Sequence, residues 1–545
     1  MSTSYYDYYD GSKIFSFLSN KIGLPLDLVN FLIAQIAALC LARLFRKPLK
    51  FASTEFRHSV CLIIGLSMGY FCFGKQAIHI SVLPMMTYIL LRTAPQHLIG
   101  NIILTASMLY LSCLHLHRQI YHTADYTLDI TGPLMVITQR VTSLAYTLQD
   151  SVANNEINSN SESKSSDVKV DKIPSPLEYF AFTLAFQTLM CGPVVFYTDY
   201  INFIEGPRVN ENRGDTGAML SALASESSME ISATTCDTGE PIATTSTWMD
   251  RIHCSAPNEE KAITMPSPRR AVIYKVAGSI AAAVLYLTLA KKYSLSVLEE
   301  LSDPTSEVSR TWSALYLLWY AHLCVLVVRC KYYHAWLLSE AICNNCGMGF
   351  NGYDKDGQPK WDKMSNIDVF GFEFAQNFRM GLASWNKNTN AWLRSVAYER
   401  GGAAWRTARV YALSALWHGF HPGYYLTFFA GGIFTVAARR VRAVVRPLFL
   451  GSRPIKMFYD LVTLVTTRVA MTYATVPFVL LHLEPSLAFY GKLYYSLHFI
   501  AIGALFLPGN GKGSSSMESL SKTSTKTSES MPVANGESSN KLKIS

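Results

Sequence analysis

Long apolar stretches recur along the whole chain and constrain its fold more than any other feature. A membrane-spanning helix needs ~20 predominantly apolar residues. Windows approaching that length fall at Leu28–Leu41, Val60–Phe73, Ile80–Leu91, Leu98–Leu116, Phe180–Tyr197, Val272–Leu289 and Trp312–Val328. Ala403–Trp417, Tyr424–Ala437, Leu461–Leu481 and Leu487–Leu507 bring the count to about eleven, several of them short enough to be tilted, buried or re-entrant. Lipid offers no partner to backbone N–H and C=O groups, so only helices or closed barrels span it, and short alternating strands are missing here. The expectation is an all-α polytopic integral membrane helical bundle.

Composition agrees: 50% of residues are hydrophobic and 16% charged, against ~25% charged in soluble domains. The formal charge of +9 is carried largely at the ends of apolar windows, at Arg43, Arg46, Lys47, Lys50, Arg92, Arg118, Lys291 and Lys292. Basic flanks belong at a membrane surface, so the charge gives no reason to expect nucleic-acid binding. The opening Met1–Ser12 stretch is polar and Tyr-rich, unlike a signal peptide, so the first apolar segment is expected to be retained.

The domain plan follows the polar breaks. Residues 1–149 hold the N-terminal membrane helices, 150–171 a Ser/Asn-rich connector, and 172–206 a further membrane helix. Residues 207–270 form a Ser/Thr-rich insert, 271–508 the second set of membrane helices, and 509–545 a polar tail. Connector, insert and tail lack an apolar period and read as disordered. Lys543 and Lys541 stand third and fifth from the end, as in the KxKxx retrieval signal of endoplasmic-reticulum membrane proteins, which requires a cytosolic tail.

Eleven cysteines, many inside apolar windows, define no disulfide framework. Cys343-Asn-Asn-Cys346 lacks a second Cys or His pair to complete a metal shell, so two packing cysteines are expected there and no metal is assigned.

Between Ile367 and Gly431 polar and aromatic residues crowd between apolar helices, where burying them unpaired costs free energy. His418 ends the apolar run Val410–Trp417, directly before Gly419; its imidazole can act as a base near neutral pH or be a core or interfacial histidine. Asn386, Asn388 and Asn390 alternate, and only Asn386 and Asn390 share a helical face. An amide can orient a hydroxyl, steady an oxyanion or cap a helix. Arg468 lies inside Leu461–Leu481 and either pairs in the bundle or faces an aqueous cavity; His482 and Glu484 fit the outer rim.

Trp385-Asn386-x-x-Thr389-x-x-Trp392-Leu393 resembles the WNxxTxxWL motif of lysophospholipid acyltransferases in the membrane-bound O-acyltransferase family. Ser414-Ala-Leu-Trp417-His418-Gly419 followed by Pro422-Gly423-Tyr424-Tyr425 resembles that branch's SAxWHG and PGYY elements. Asp129–Met135, Gly192-Pro193 through Tyr200–Gly206, and Lys331-Tyr-Tyr-x-x-Trp336 are similar to three further branch motifs, in the same order. The resemblance covers about residues 120–430; insert and tail lie outside it. It implies a bundle enclosing a substrate tunnel and no bound cofactor, with acyl-CoA as co-substrate and a lysophospholipid as acceptor. It also implies catalysis by His418 and Asn386, with Trp385, Asn388, Thr389, Trp392, Trp417, Tyr424 and Tyr425 lining the substrates. The corresponding location is the endoplasmic-reticulum membrane. Acylation of a protein, a sterol or diacylglycerol remains the alternative within the family. A transporter would show an internal repeat of its apolar pattern, and none is visible.

Overall fold

The computed structural model describes residues 9–46, 49, 52–121, 129–158, 172–205, 265–402 and 405–507. Helices dominate them, and an isolated bridge between Tyr353 and Pro359 is the extent of β-pairing among them. Six helical stretches are long and apolar enough to cross a membrane: Leu26–Arg46, Thr54–Thr93, Ile99–Tyr121, Arg269–Leu289, Ala314–Cys346 and Arg453–Leu480. Large apolar side chains such as Ile63, Leu109, Ile273 and Val465 point outward from them. Water would penalise such a surface, whereas lipid accepts it. The chain is an all-α polytopic membrane protein.

Four elements differ from the apolar windows, each for a physical reason. The Phe180–Tyr197 window is not one helix: Pro176–Thr183 ends and Tyr197–Glu205 begins, with irregular, largely buried backbone between. Pro193 has no N–H to give and disfavours helix at the residue before it. Buried Arg140 supports this backbone, donating to Phe182 and Thr183 oxygens at 3.2 and 2.7 Å and to the Thr188 hydroxyl. Irregular backbone is tolerated at membrane depth when protein satisfies it.

The Thr131–Asn158 helix corresponds to no apolar window, and the connector boundary expected at residue 150 falls inside it. Its buried Gln139, Arg140, Thr142 and Ser143 lower its hydropathy yet are hydrogen-bonded within the protein. For the same reason Trp312–Val328 underestimates a helix running from Ala314 to Cys346, whose second half buries Arg329, Glu340 and Asn344. Leu487–Leu507 is two helices, Leu483–Lys492 and Ser496–Ala504, parted at Tyr494 and Tyr495, whose φ of 54° and 48° lie in the left-handed region. The helix after the insert opens at Arg269, ahead of the expected boundary. Most of the connector and insert, all of the tail, and with it Lys541 and Lys543, fall outside the described residues.

The chain divides into two compact units. The first comprises Met1–Leu285, Cys330–Ile367 and Lys387–Arg400; the second comprises Tyr286–Arg329, Asp368–Asn386 and Gly401–Ser545. In the first, Ile99–Tyr121 packs along Thr131–Asn158, and Thr54–Phe73 along Pro176–Thr183. In the second, Pro422–Val445 packs along Arg453–Leu480, with a core that includes Leu317, Ala321, Ala430, Tyr473 and Phe489.

Candidate active site

His418 is the last residue of the Arg406–His418 helix. Its Nδ1 lies 2.7 Å from the Ser414 carbonyl oxygen, one turn back. A carbonyl oxygen only accepts, so Nδ1 carries the hydrogen and Nε2 the lone pair of the neutral ring. Aromatic rings hold the imidazole on several sides: Trp417 at 4.7 Å between centroids, Phe428 at 4.9 Å, Phe478 at 5.2 Å and Tyr424 at 5.7 Å. Position and tautomer are both set locally.

Two glycines permit this packing. Gly419 has φ 112°, which L side chains rarely adopt, and so lets the chain leave the helix directly after the histidine. Gly423 opens the Pro422–Val445 helix against the end of Arg453–Leu480, where its N–H donates to Leu481 O at 2.8 Å. A Cβ there would lie 2.0 Å from the Pro477 carbonyl oxygen. The close approach also brings Tyr424 against Phe478, with ring centroids 4.7 Å apart, whereas Tyr425 is 40% exposed.

Asn386 sits between the Phe378–Ser384 and Lys387–Leu393 helices with φ 44°. Asparagine tolerates this left-handed geometry better than most residues, and strained backbone of this kind concentrates at functional sites. Trp385 beside it packs on Phe372 at 5.0 Å. Next in sequence, Glu373 receives a two-pronged bond from Arg329, at 2.8 and 3.0 Å, and a second cation from Arg468 at 3.2 Å. Arg468 therefore pairs inside its unit. His482 caps the Leu483–Lys492 helix, and Glu484 lies in its favourable first turn.

Asn386, Trp385, His418, Trp417, Tyr424 and Tyr425 belong to the second unit, whereas Asn388, Thr389 and Trp392 belong to the first. The latter three are committed to packing. Asn388 Nδ2 donates to Val194 O at 3.0 Å, Gln139 Nε2 donates to the Thr389 hydroxyl at 3.0 Å, and the fully buried Trp392 indole donates to Thr142 Oγ1 at 2.9 Å. These bonds hold all three side chains within the packing of the first unit. Trp417 is likewise buried, in contact with His418.

The sequence reading missed the support behind this motif. Buried Glu340, ion-paired with Lys275, accepts the N–H groups of Asn366 and Ile367 at 2.7 and 3.1 Å. Asn366 in turn accepts from the N–H groups of Lys387 and Asn388. Ionisable residues flanked by apolar helix, such as Glu340 and Arg329, are the signal that could have exposed it. Cys343 and Cys346 are both free and buried, as packing cysteines are.

Fold and geometry define a polytopic helical membrane protein with an imidazole locked in one tautomer. A profile of the membrane-bound O-acyltransferase family matches residues 241–510. Lysophospholipid acyltransferase 6 of Drosophila melanogaster is 42% identical over 503 residues, 92% of this chain, which spans 64% of that relative's length. Membrane-bound glycerophospholipid O-acyltransferase 1 of Mus musculus is 36% identical over 504 residues, 91% of this chain and 93% of its own. The lysophospholipid acyltransferase of Saccharomyces cerevisiae is 30% identical over 472 residues, 82% of this chain and 69% of its own. This chain belongs to the membrane-bound O-acyltransferase family, which displaces the transporter alternative.

Proposed function

We propose that the protein is an acyl-CoA-dependent lysophospholipid O-acyltransferase of the endoplasmic-reticulum membrane. The observation that carries the mechanism is the His418 Nδ1 hydrogen bond to Ser414 O, which commits Nε2 to accepting a proton. The relatives named for lysophospholipid and glycerophospholipid acylation support the acceptor class.

In the reaction, His418 Nε2 takes the proton of the free glycerol hydroxyl as its oxygen attacks the thioester carbonyl. Asn386 orients a reacting group or donates its amide N–H to the developing oxyanion. The C–S bond then breaks, and coenzyme A leaves as thiolate, taking up the proton held by His418. Thiolate is a good leaving group, so this route needs neither a catalytic metal nor an acyl-enzyme. Both substrates carry long chains, and a tunnel within the bilayer spares exposing them to water at ~0.8 kcal/mol per CH₂.

The test is acyl transfer by microsomes expressing the full chain, given labelled oleoyl-CoA and lysophosphatidylserine, lysophosphatidylethanolamine and lysophosphatidylcholine. Diacyl product from at least one acceptor is expected, and the panel names the head group. Inert behaviour on all three, with product from a sterol, diacylglycerol or protein acceptor, would move the enzyme to another branch of its family. Replacing Lys541 and Lys543 with Ala is expected to release the protein from the endoplasmic reticulum.

A further inference from the structure

Far from His418 in sequence, three elements of the first unit converge on a cluster that acyl transfer does not use. His58 lies near the start of the Thr54–Phe73 helix, Glu178 in the first turn of Pro176–Thr183, and Glu205 at the end of Tyr197–Glu205. One ring nitrogen of His58 and one carboxylate oxygen from each glutamate all lie within 4.8 Å of one another. His58 is 2% exposed, and the glutamates are half-buried.

The imidazole is arranged as a ligand. Its Nδ1 is 3.0 Å from the Tyr200 hydroxyl, whereas Nε2 is buried with no hydrogen-bond partner among the described residues. If Tyr200 donated into Nδ1, Nε2 would be a buried N–H without an acceptor, which costs free energy. If Nδ1–H donates to Tyr200 instead, Nε2 keeps its lone pair. That is the tautomer a metal-binding histidine takes, its other nitrogen anchored to an oxygen.

The carboxylates point the same way. Two negative groups this close repel. Glu178 uses one oxygen to accept the Ser175 N–H at 2.7 Å, and its second oxygen remains available for a further ligand role. A neighbouring cation, Arg57, donates to Phe203 O at 3.0 Å. A divalent ion would gather the orphaned nitrogen and the two neighbouring carboxylates into a ligand set.

We propose that His58, Glu178 and Glu205 bind one divalent transition-metal ion of the zinc class, tying together three helices of the first unit. Mixed imidazole and carboxylate donors favour zinc over magnesium or calcium, which prefer all-oxygen shells. Zinc takes N and O donors at ~2.0–2.2 Å, so the 4.8 Å spread closes with small side-chain rotations, and water completes a fourth position.

The test uses the full chain in detergent, stripped with a chelator, incubated with zinc sulfate and dialysed, with metal counted by mass spectrometry. About one zinc per chain is expected, together with a zinc-dependent rise in melting temperature. Glu205→Gln, at a half-buried position, is expected to fold, to bind less than about a tenth as much zinc and to lose the rise. His58→Gln adds the nitrogen ligand to the same comparison. An intact chain that binds no zinc above the buffer control would overturn the site. Glu205→Gln carrying as much zinc as the intact chain would overturn it equally.

Discussion

Asn386 and Trp392 lie within one short motif yet do opposite things with their backbone and side chains. Asn386 takes a left-handed conformation, is half-buried and belongs to the unit that holds His418. Six residues on, Trp392 belongs to the first unit, is in regular helix, fully buried, and donates to Thr142 of that same unit's Thr131–Asn158 helix. The first carries strain of the kind that concentrates at functional sites, and the second is a relaxed, buried and hydrogen-bonded part of the packing. The same contrast separates Tyr424, whose ring lies against the histidine, from the more exposed Tyr425.

The largest effect expected on the chemical side is at His418. His418→Ala should cut acyl transfer by ~10²–10⁴-fold, while protein of equal abundance keeps its melting temperature within a few degrees. A comparable loss of folded protein would place His418 with the architectural residues.

Gly423→Ala should cost ~1–3 kcal/mol, because its new methyl meets the Pro477 carbonyl oxygen and the helix must shift. Thermal unfolding in detergent would register this as a lowered midpoint, with activity falling in step. An unchanged midpoint would mean that the two helices yield more easily than their contact implies.

Asn386 separates backbone from side chain. Asn386→Gly suits φ 44°, so it should fold as well as the parent or better, whereas Asn386→Ala should lose up to ~1 kcal/mol of stability. Both should lose acyl transfer alike. If Asn386→Gly keeps its rate, the residue serves the turn and not the reaction.

Trp392→Phe is the smallest change. It removes the indole N–H, leaves Thr142 short of a donor and should cost ~1 kcal/mol, with KM unaltered. A raised KM at unchanged stability would return Trp392 to the substrate lining.

Apolar windows revealed most of the helices because lipid-facing residues such as Ile63 and Ile273 are apolar whatever they pack against. The windows failed where helices bury paired polar groups. Thr131–Asn158 and the second half of Ala314–Cys346 are stabilised through Arg140, Gln139 and Glu340, whose partners lie tens or hundreds of residues away. At the site, the WHG and PGYY elements were readable as motifs, and Gly419 and Gly423 now have a steric reason. The aromatic enclosure was only partly readable, since Phe478 joins it from another helix. His58, Glu178 and Glu205 span so much of the chain that no spacing rule unites them.

The central claim is that His418 Nε2 removes the acceptor hydroxyl's proton. Purified protein given oleoyl-CoA and the preferred lysophospholipid should release coenzyme A thiol in step with diacyl product. His418→Ala, folded and still able to bind both substrates, is expected to release thiol at no more than about a hundredth of the intact rate. A folded His418→Ala protein that releases thiol and forms product at the intact rate would contradict it.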